Sequence, residues 1–154
     1  MLHLAPMDPG DFDPYFENCA REYAADHVKT GRWAEQDGLA NARAEIRKLL
    51  PAGTQTPNQF LFTIVDVPSG NKVGVVWLAI EPRGGFIYDL RVFEAYRRRG
   101  YAEQAMRLIE PVAREKGAGR ISLHVFGDNL AARKLYTKLG YSETNVLMAK
   151  PLAP

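Results

Sequence analysis

The sequence predicts a single α/β domain, residues 1–154, in which a mixed β-sheet carries helices on both faces. Three observations predict it. The chain has 154 residues, the size of one ordinary domain. Strands separated by short turns fill its middle, and strands that alternate with helices fill its second half. Hydrophobic residues make up 46% and charged residues 25%, which is average for a folded protein and excludes a disordered chain.

The first third of the chain is predicted to form a strand and two helices. Met1–Ala5 is a short apolar segment that can form a strand. Asp11 can cap a helix that runs to about Val28. The stripe that this helix would bury recurs at helical spacing: Phe12, Phe16, Cys19 and Tyr23. Thr30-Gly31 then breaks the chain, and a second helix is predicted from about Ala34 to Leu50.

Three strands are predicted next. Phe60–Asp66 and Lys72–Ile80 flank the turn Pro68-Ser69-Gly70-Asn71, which is of the kind that closes an antiparallel hairpin. A second turn, Pro82-Arg83-Gly84-Gly85, leads into the strand Phe86–Phe93. These strands are therefore expected to form the antiparallel part of the sheet.

The remaining elements alternate between helix and strand. They are, in order, a helix over Tyr101–Lys116, a strand over Ile121–Phe126, a helix over Leu130–Leu139 and a last strand over Glu143–Lys150. With Phe86–Phe93 they give a β-α-β-α-β pattern that contains two parallel crossovers. A ligand site is expected where the parallel strands end.

Charge and composition limit the classes of partner and the cellular location that we expect. Lys and Arg number 20 and Asp and Glu 18, and the formal net charge of +2 gives no reason to expect a nucleic acid or a membrane as partner. The longest apolar run, Val73–Ile80, is far shorter than the roughly 20 residues of a membrane span. Met1–Asp13 lacks the basic start and apolar stretch of a signal peptide. We expect a cytoplasmic protein.

The sequence predicts no catalytic or metal-binding role for the single cysteine or for the histidines. Cys19 has no partner for an internal disulfide, and its place in a helical apolar pattern favours a buried side chain over a reactive thiol. No group of histidine and cysteine residues has the spacing of metal ligands, so no metal is expected.

The most informative segment is the basic loop Arg97-Arg98-Arg99-Gly100, which lies between a predicted strand and a predicted helix. Amide groups in the first turn of a helix lack internal partners, and Gly100 lets a ligand approach the backbone closely. The loop therefore suits a phosphate or pyrophosphate. The alternative is that Arg97–Arg99 are solvated surface charges and that Gly100 only begins a turn. The sequence has neither the nucleotide loop that ends in Lys-Ser/Thr nor the three-glycine dinucleotide fingerprint, so a kinase or a Rossmann dehydrogenase is not expected.

Two motifs resemble those of the GCN5-related N-acetyltransferases. Arg97–Ala102 is similar to their Arg/Gln-x-x-Gly-x-Gly/Ala pyrophosphate loop, and Asp89–Val92 before it resembles their central strand. Asn129–Tyr141 is similar to their second signature, Asn-x-x-Ala-x-x-Leu-Tyr-x-x-Leu-Gly-Phe/Tyr. The N-terminal half resembles a functionally unassigned bacterial branch through Gly31-Arg32-Trp33 and Leu50–Pro57.

The resemblance implies acetyl-CoA as donor and a primary amine, on a small molecule or a protein, as acceptor. It implies a fold in which the central strand splays away from its parallel neighbour to form a cleft for acetyl-CoA. The backbone of Leu90 and Val92 would pair with the pantetheine amides, and Asn129 would contact the cofactor. The residues expected to hold the pyrophosphate are Arg97, Arg98, Arg99, Gly100, Tyr101 and Ala102.

Tyr136 and Asp89 are the catalytic candidates. Tyr136 matches the family tyrosine that protonates or hydrogen-bonds the departing CoA thiolate. Asp89 is the only carboxylate within the central strand and is a candidate general base. It shares a strand face with Arg91, so it can instead form a local pair with that residue or anchor the ammonium group of the substrate. Glu35 and Glu81 are further candidates for the base.

The acceptor and the assembly stay open at this stage. We expect an N-acetyltransferase that works by direct attack of the amine in a ternary complex, with a homodimer as one assembly. Two alternatives remain: a module that binds acyl-CoA without turnover, and a nucleic-acid-binding protein that uses Arg97–Arg99.

Overall fold

The computed structural model describes all 154 residues, which form five strands and four α-helices. The chain divides into two compact units, Met1–Leu123 and His124–Pro154. The elements of the first unit are β1 (Leu2–Pro6), α1 (Phe12–Lys29), α2 (Glu35–Leu49), β2 (Gln59–Asp66), β3 (Asn71–Glu81), β4 (Gly84–Val92), α3 (Tyr101–Glu115) and β5 (Ile121–Leu123). The second unit contains α4 (Leu130–Lys138). No helix combines the length and the apolar character that crossing a membrane requires.

The five strands form one mixed sheet in the order β1-β2-β3-β4-β5. The neighbours from β1 to β4 are antiparallel, and β4 and β5 are parallel. The hairpin predicted around Pro68–Asn71 is confirmed, because β2 pairs with β3 from Gln59↔Ala79 to Asp66↔Asn71. The α/β fold class predicted from the sequence is confirmed.

One face of the sheet packs against α1 and α2. Leu61, Val75 and Trp77 project from this face into a buried cluster with side chains of both helices, among them Phe16 and Ile46. Asp11 lies at the N-cap position of α1 as predicted, but its side chain makes no capping bond. Its carboxylate binds the Lys72 ammonium of β3 at 2.6 Å instead, because that charge is within reach.

The other face packs against α3. Strand alternation places Val76 and Leu78 on the face opposite Val75 and Trp77, and both are fully buried. Met106 and Ile109 of α3 are also fully buried, and α3 contacts β1, β3 and β4. Helices therefore cover both faces, as predicted.

The prediction of a last strand over Glu143–Lys150 is wrong. The segment contains no strand, and the side chains of Val146, Leu147 and Met148 are 66%, 99% and 86% exposed. β5 is also shorter than predicted, since it ends at Leu123 instead of Phe126. Strand formation depends on a neighbour that accepts and donates ladder hydrogen bonds, and a local apolar pattern does not supply one. The chain therefore has one parallel crossover, from β4 through α3 to β5.

Candidate active site

The two parallel strands share only their first residues. β4 pairs with β5 at Gly85↔Ile121, Phe86↔Ser122 and Ile87↔Leu123, and there the pairing ends. β4 continues to Val92 while remaining paired with β3 on its other side. The stretch from Tyr88 to Val92 therefore has an open backbone edge on the side of β5.

Alternation decides which amides face this edge. The Phe93 N–H donates to the Val73 carbonyl across the β3 side at 2.8 Å. Because successive residues of a strand direct their backbone groups to opposite sides, Leu90 and Val92 direct theirs to the open edge. The Val92 carbonyl accepts a bond from Arg97 Nε at 3.0 Å, which ties the following loop to the end of β4.

A β-bulge lies where β4 leaves β5. Trp77 of β3 is opposite Asp89 and Leu78 is opposite Ile87, so Tyr88 is an extra residue in β4. The bulge brings Tyr88 and Asp89 to the same side of the sheet. The Tyr88 ring lies 4.7 Å from the Trp77 ring, between centroids. Its hydroxyl donates to Glu81 Oε1 at 3.1 Å, and burial, followed by this hydrogen bond, raises the pKa of Tyr88 to about 12.

The basic loop meets α3 in an unusual backbone conformation. Arg98 and Gly100 have φ of 63° and 76°, in the left-handed region that favours glycine. Gly100 is the N-cap of α3, no side chain caps the helix, and a Cβ at Gly100 would meet open space. The first amides of α3 are therefore accessible to an anion, and Tyr101 and Ala102 supply them. The side chains of Arg97, Arg98 and Arg99 are exposed around this position.

Asp89 lies on the α1 side of β4 and is half-buried. The Tyr15 hydroxyl of α1 donates to Asp89 Oδ2 at 2.8 Å. Burial raises the pKa of Asp89, and the positive charge of Arg91 only partly opposes this effect. The alternative of a local ion pair between Asp89 and Arg91 is not what forms: Arg91 Nη2 binds Glu22 Oε2 of α1 at 2.8 Å.

Cys19 is close to the same group. It is 9% exposed, and burial raises the pKa of its thiol to about 12. The prediction that Cys19 is a buried side chain is therefore confirmed, and a thiol with this pKa is a poor nucleophile at neutral pH.

In the second unit, residues of the Asn129–Tyr141 motif determine where α4 begins and ends. The Asn129 side chain accepts a bond from the Ala132 N–H at 3.2 Å and so caps α4. At the other end, Gly140 has φ of 94°, and the Tyr141 N–H returns to the Tyr136 carbonyl at 2.9 Å. This is a Schellman motif. It brings the Tyr141 ring to 5.8 Å from the ring of Tyr136.

Sequence reasoning missed Tyr15 and Glu22, which bind Asp89 and Arg91. Tyr15 does have a signal in the sequence, since it lies three residues after Phe12 and four before Cys19, which is helical spacing. The structure buries it together with Cys19. Glu22 has none, because its partner on β4 is 69 residues away. Of the other carboxylate candidates, Glu35 begins α2 and is exposed, whereas Glu81 ends β3 and binds Tyr88.

Comparison with known proteins decides the family. The model of the Acetyltransferase (GNAT) family matches residues 18–141. The chain belongs to the GNAT family of acetyltransferases. It is 37% identical over 155 residues to the uncharacterized N-acetyltransferase YycN of Bacillus subtilis (strain 168), covering 98% of this chain and 99% of that protein. It is 31% identical to YdgE of the same organism, covering 97% of both chains.

The fold agrees with this membership. The crystal structure of YycN matches with a TM-score of 0.93 and 36% identity, over 100% of both chains. The predicted resemblance to the family is therefore confirmed for the whole chain.

Proposed function

We propose that this GNAT protein transfers the acetyl group of acetyl-CoA to a primary amine by direct attack in a ternary complex. The observation that carries the proposal is the open edge of β4, from Tyr88 to Val92, leading to the uncapped start of α3 at Gly100. An extended, amide-containing arm with a pyrophosphate at one end is complementary to a strand edge followed by a helix N-terminus.

The residues present fit acetyl-CoA as a substrate. Leu90 and Val92 would pair with the pantetheine amides, and the amides of Tyr101 and Ala102 would bind the pyrophosphate. The three loop arginines would neutralise its charge, with Arg97 held in place by the Val92 carbonyl. Asn129, which caps α4, would add a contact through its amide group.

The transfer exchanges the C–S bond of the thioester for a C–N bond. The nitrogen lone pair forms the new C–N bond while the C–S bond breaks, and its electron pair leaves with sulfur. An alkylammonium acceptor releases two protons in becoming an amide, of which one protonates the thiolate and the other reaches solvent. Asp89 would take the first proton through water, since its raised pKa makes it a better base for this task than an ordinary aspartate. Tyr136 would donate its hydroxyl hydrogen toward the departing sulfur.

Donor binding is tested with two matched glycine variants. Gly100→Val should abolish acetyl-CoA binding, because the branched side chain would fill the open space at the start of α3. Gly70→Val is the control: Gly70 has φ of 74°, against 76° for Gly100, and open space around it, but lies in the β2–β3 turn. Wild type and Gly70→Val should be stabilised by about 2.7 kcal/mol at 100 times the Kd of acetyl-CoA. Equal melting shifts in both variants would show that the loop does not bind the donor.

Tyr136→Phe tests the role of the hydroxyl. With an amine found by screening for release of free CoA, turnover should fall by roughly 10²–10⁴, the range for a positioned proton donor. The KM for acetyl-CoA should change much less, because the interaction strengthens in the transition state. Tyr141→Phe, which also removes one tyrosine hydroxyl from the second unit, is the control. Wild-type turnover in Tyr136→Phe would leave this tyrosine a packing role, and acetyl-CoA binding without turnover of any amine would favour a silent binding module.

A further inference from the structure

Two aromatic pairs form an aromatic patch on the α1/α2 side of the sheet, and the pair on β4 borders the point where β4 leaves β5. Its members are half-buried rings of α1, of the α1–α2 connection and of β4: Tyr23, Trp33, Phe86 and Tyr88. Tyr23, Trp33 and Tyr88 pack against the same buried cluster. The ring centroids are 5.7 Å apart for Tyr23 and Trp33 and 4.7 Å for Phe86 and Tyr88. Ring faces bind alkyl chains and ammonium groups, and the Arg32 guanidinium already lies over that of Trp33, 4.7 Å from its centroid.

Two carboxylates belong to this region, and their charges are compensated differently. Glu45 binds the Arg32 guanidinium at 2.6 Å and accepts a bond from the Tyr23 hydroxyl at 2.7 Å. Glu81 is exposed and forms no ion pair, and its partner is the neutral hydroxyl of Tyr88. Glu81 is therefore the carboxylate whose negative charge is available to a ligand.

The position of Glu81 limits what it can bind. Tyr88 is the first residue of β4 beyond its last pair with β5, so in the proposed function its backbone borders the thioester. Glu81 lies at the far end of the Tyr88 side chain, at its hydroxyl. The whole length of a tyrosine therefore separates the carboxylate from the strand edge, which matches a charge several bonds away from the reacting nitrogen.

We propose that the acceptor is an alkyl diamine or polyamine, whose second ammonium binds Glu81 while its alkyl chain lies on the aromatic patch. This inference rests on the proposed function. One amine of the acceptor loses its protons and takes the acetyl group, and the other stays protonated. A monoamine of the same length leaves Glu81 without a counter-ion and gains nothing from it.

The test compares cadaverine with n-pentylamine, which have the same number of carbons and differ by one ammonium group. In the wild type, kcat/KM for cadaverine should exceed that for n-pentylamine by roughly 10- to 100-fold, the size of one charged hydrogen bond. This preference should exceed the statistical advantage of a second amine. In Glu81→Gln it should disappear through a lower kcat/KM for cadaverine, with n-pentylamine little changed. Tyr88→Phe, which keeps the ring but frees Glu81 to move, should lower the preference less.

Asp66→Asn is the control for overall charge. Asp66 pairs with Asn71 at the opposite end of β3 from Glu81, so this variant removes one negative charge far from the patch and should keep the preference. Equal rates for the two amines in the wild type, or an equal loss for both in Glu81→Gln, would overturn the inference. Acetyl-CoA binding with neither amine acetylated would also overturn it. Failure to bind acetyl-CoA would overturn the proposed function itself.

Discussion

On the α3 face, the sheet meets its helix through apolar side chains that are fully buried, such as Val76, Leu78 and Ile109. On the α1/α2 face, ionisable groups lie among the apolar ones. Asp89 is half-buried and accepts a bond from Tyr15, and Nε of Arg91 is a buried polar atom without a hydrogen-bond partner. Arg91 and Tyr15 also line a cavity of about 200 Å³ on that side.

The two faces of the sheet therefore contribute differently to stability. Each buried apolar side chain on the α3 face stabilises the fold, whereas burying a charge or leaving a polar atom unpaired costs free energy. The costly groups are concentrated on β4 beyond its last pair with β5, beside the candidate active site. Such a concentration is typical of functional sites, where groups are retained for chemistry and not for stability.

The largest effect on stability is expected on the α3 face. Ile109→Ala should lower the free energy of unfolding by about 2–5 kcal/mol, because it leaves a cavity between α3 and the sheet. Urea denaturation measures the loss. The control is Leu147→Ala, whose side chain is 99% exposed and should change stability by less than about 0.5 kcal/mol. Similar values for the two variants would contradict the burial of Ile109 between α3 and the sheet.

A smaller loss is expected for Tyr15→Phe on the other face. The ring remains, but Asp89 Oδ2 loses its donor, at a cost of about 1.5–3 kcal/mol for a hydrogen bond to a charged group. The Tyr15 bond lowers the pKa of Asp89, so its removal should raise that pKa further. A protonated carboxyl depends less on a hydrogen-bond donor than an ionised one does. The loss of stability in Tyr15→Phe should therefore be smaller at acidic pH than at neutral pH. Denaturation curves at several pH values check this, and a loss independent of pH would show that the contribution of the Tyr15 hydroxyl does not depend on the charge of Asp89.

The smallest effect has the opposite sign. Asp89→Asn keeps an oxygen for the Tyr15 hydroxyl and removes the buried charge, so stability at neutral pH should stay equal or rise while turnover falls. The sign follows from the raised pKa. In the wild type, the folded state binds more protons than the unfolded state between the ordinary aspartate pKa and the raised value, so its stability falls with rising pH there. The advantage of Asp89→Asn should grow over the same range. A variant that is less stable at neutral pH would show that the carboxylate itself stabilises the fold.

The helices and the antiparallel strands could be predicted because their signals are local. Apolar residues at helical spacing located α1, α2 and α3 to within about two residues, which is the usual uncertainty of helix ends. The turn at Pro68–Asn71 similarly located the β2–β3 hairpin. The segment Glu143–Lys150 shows the limit of this approach, since its composition suits a strand but nothing pairs with it.

The candidate site divides in the same way. The sequence alone determined the basic loop, Gly100 before α3 and the second motif, because each depends on backbone geometry within a few residues. Tertiary structure decided the rest: the parting of β4 from β5, the bulge at Tyr88, and the contact of Asp89 with Tyr15, 74 residues away. Partners so distant in the chain are set by which strand lies beside which helix, and no local pattern of residue types specifies that arrangement. The raised pKa of Asp89 and the bond of Glu81 to the neutral Tyr88 hydroxyl follow from it, and both are therefore properties of the fold.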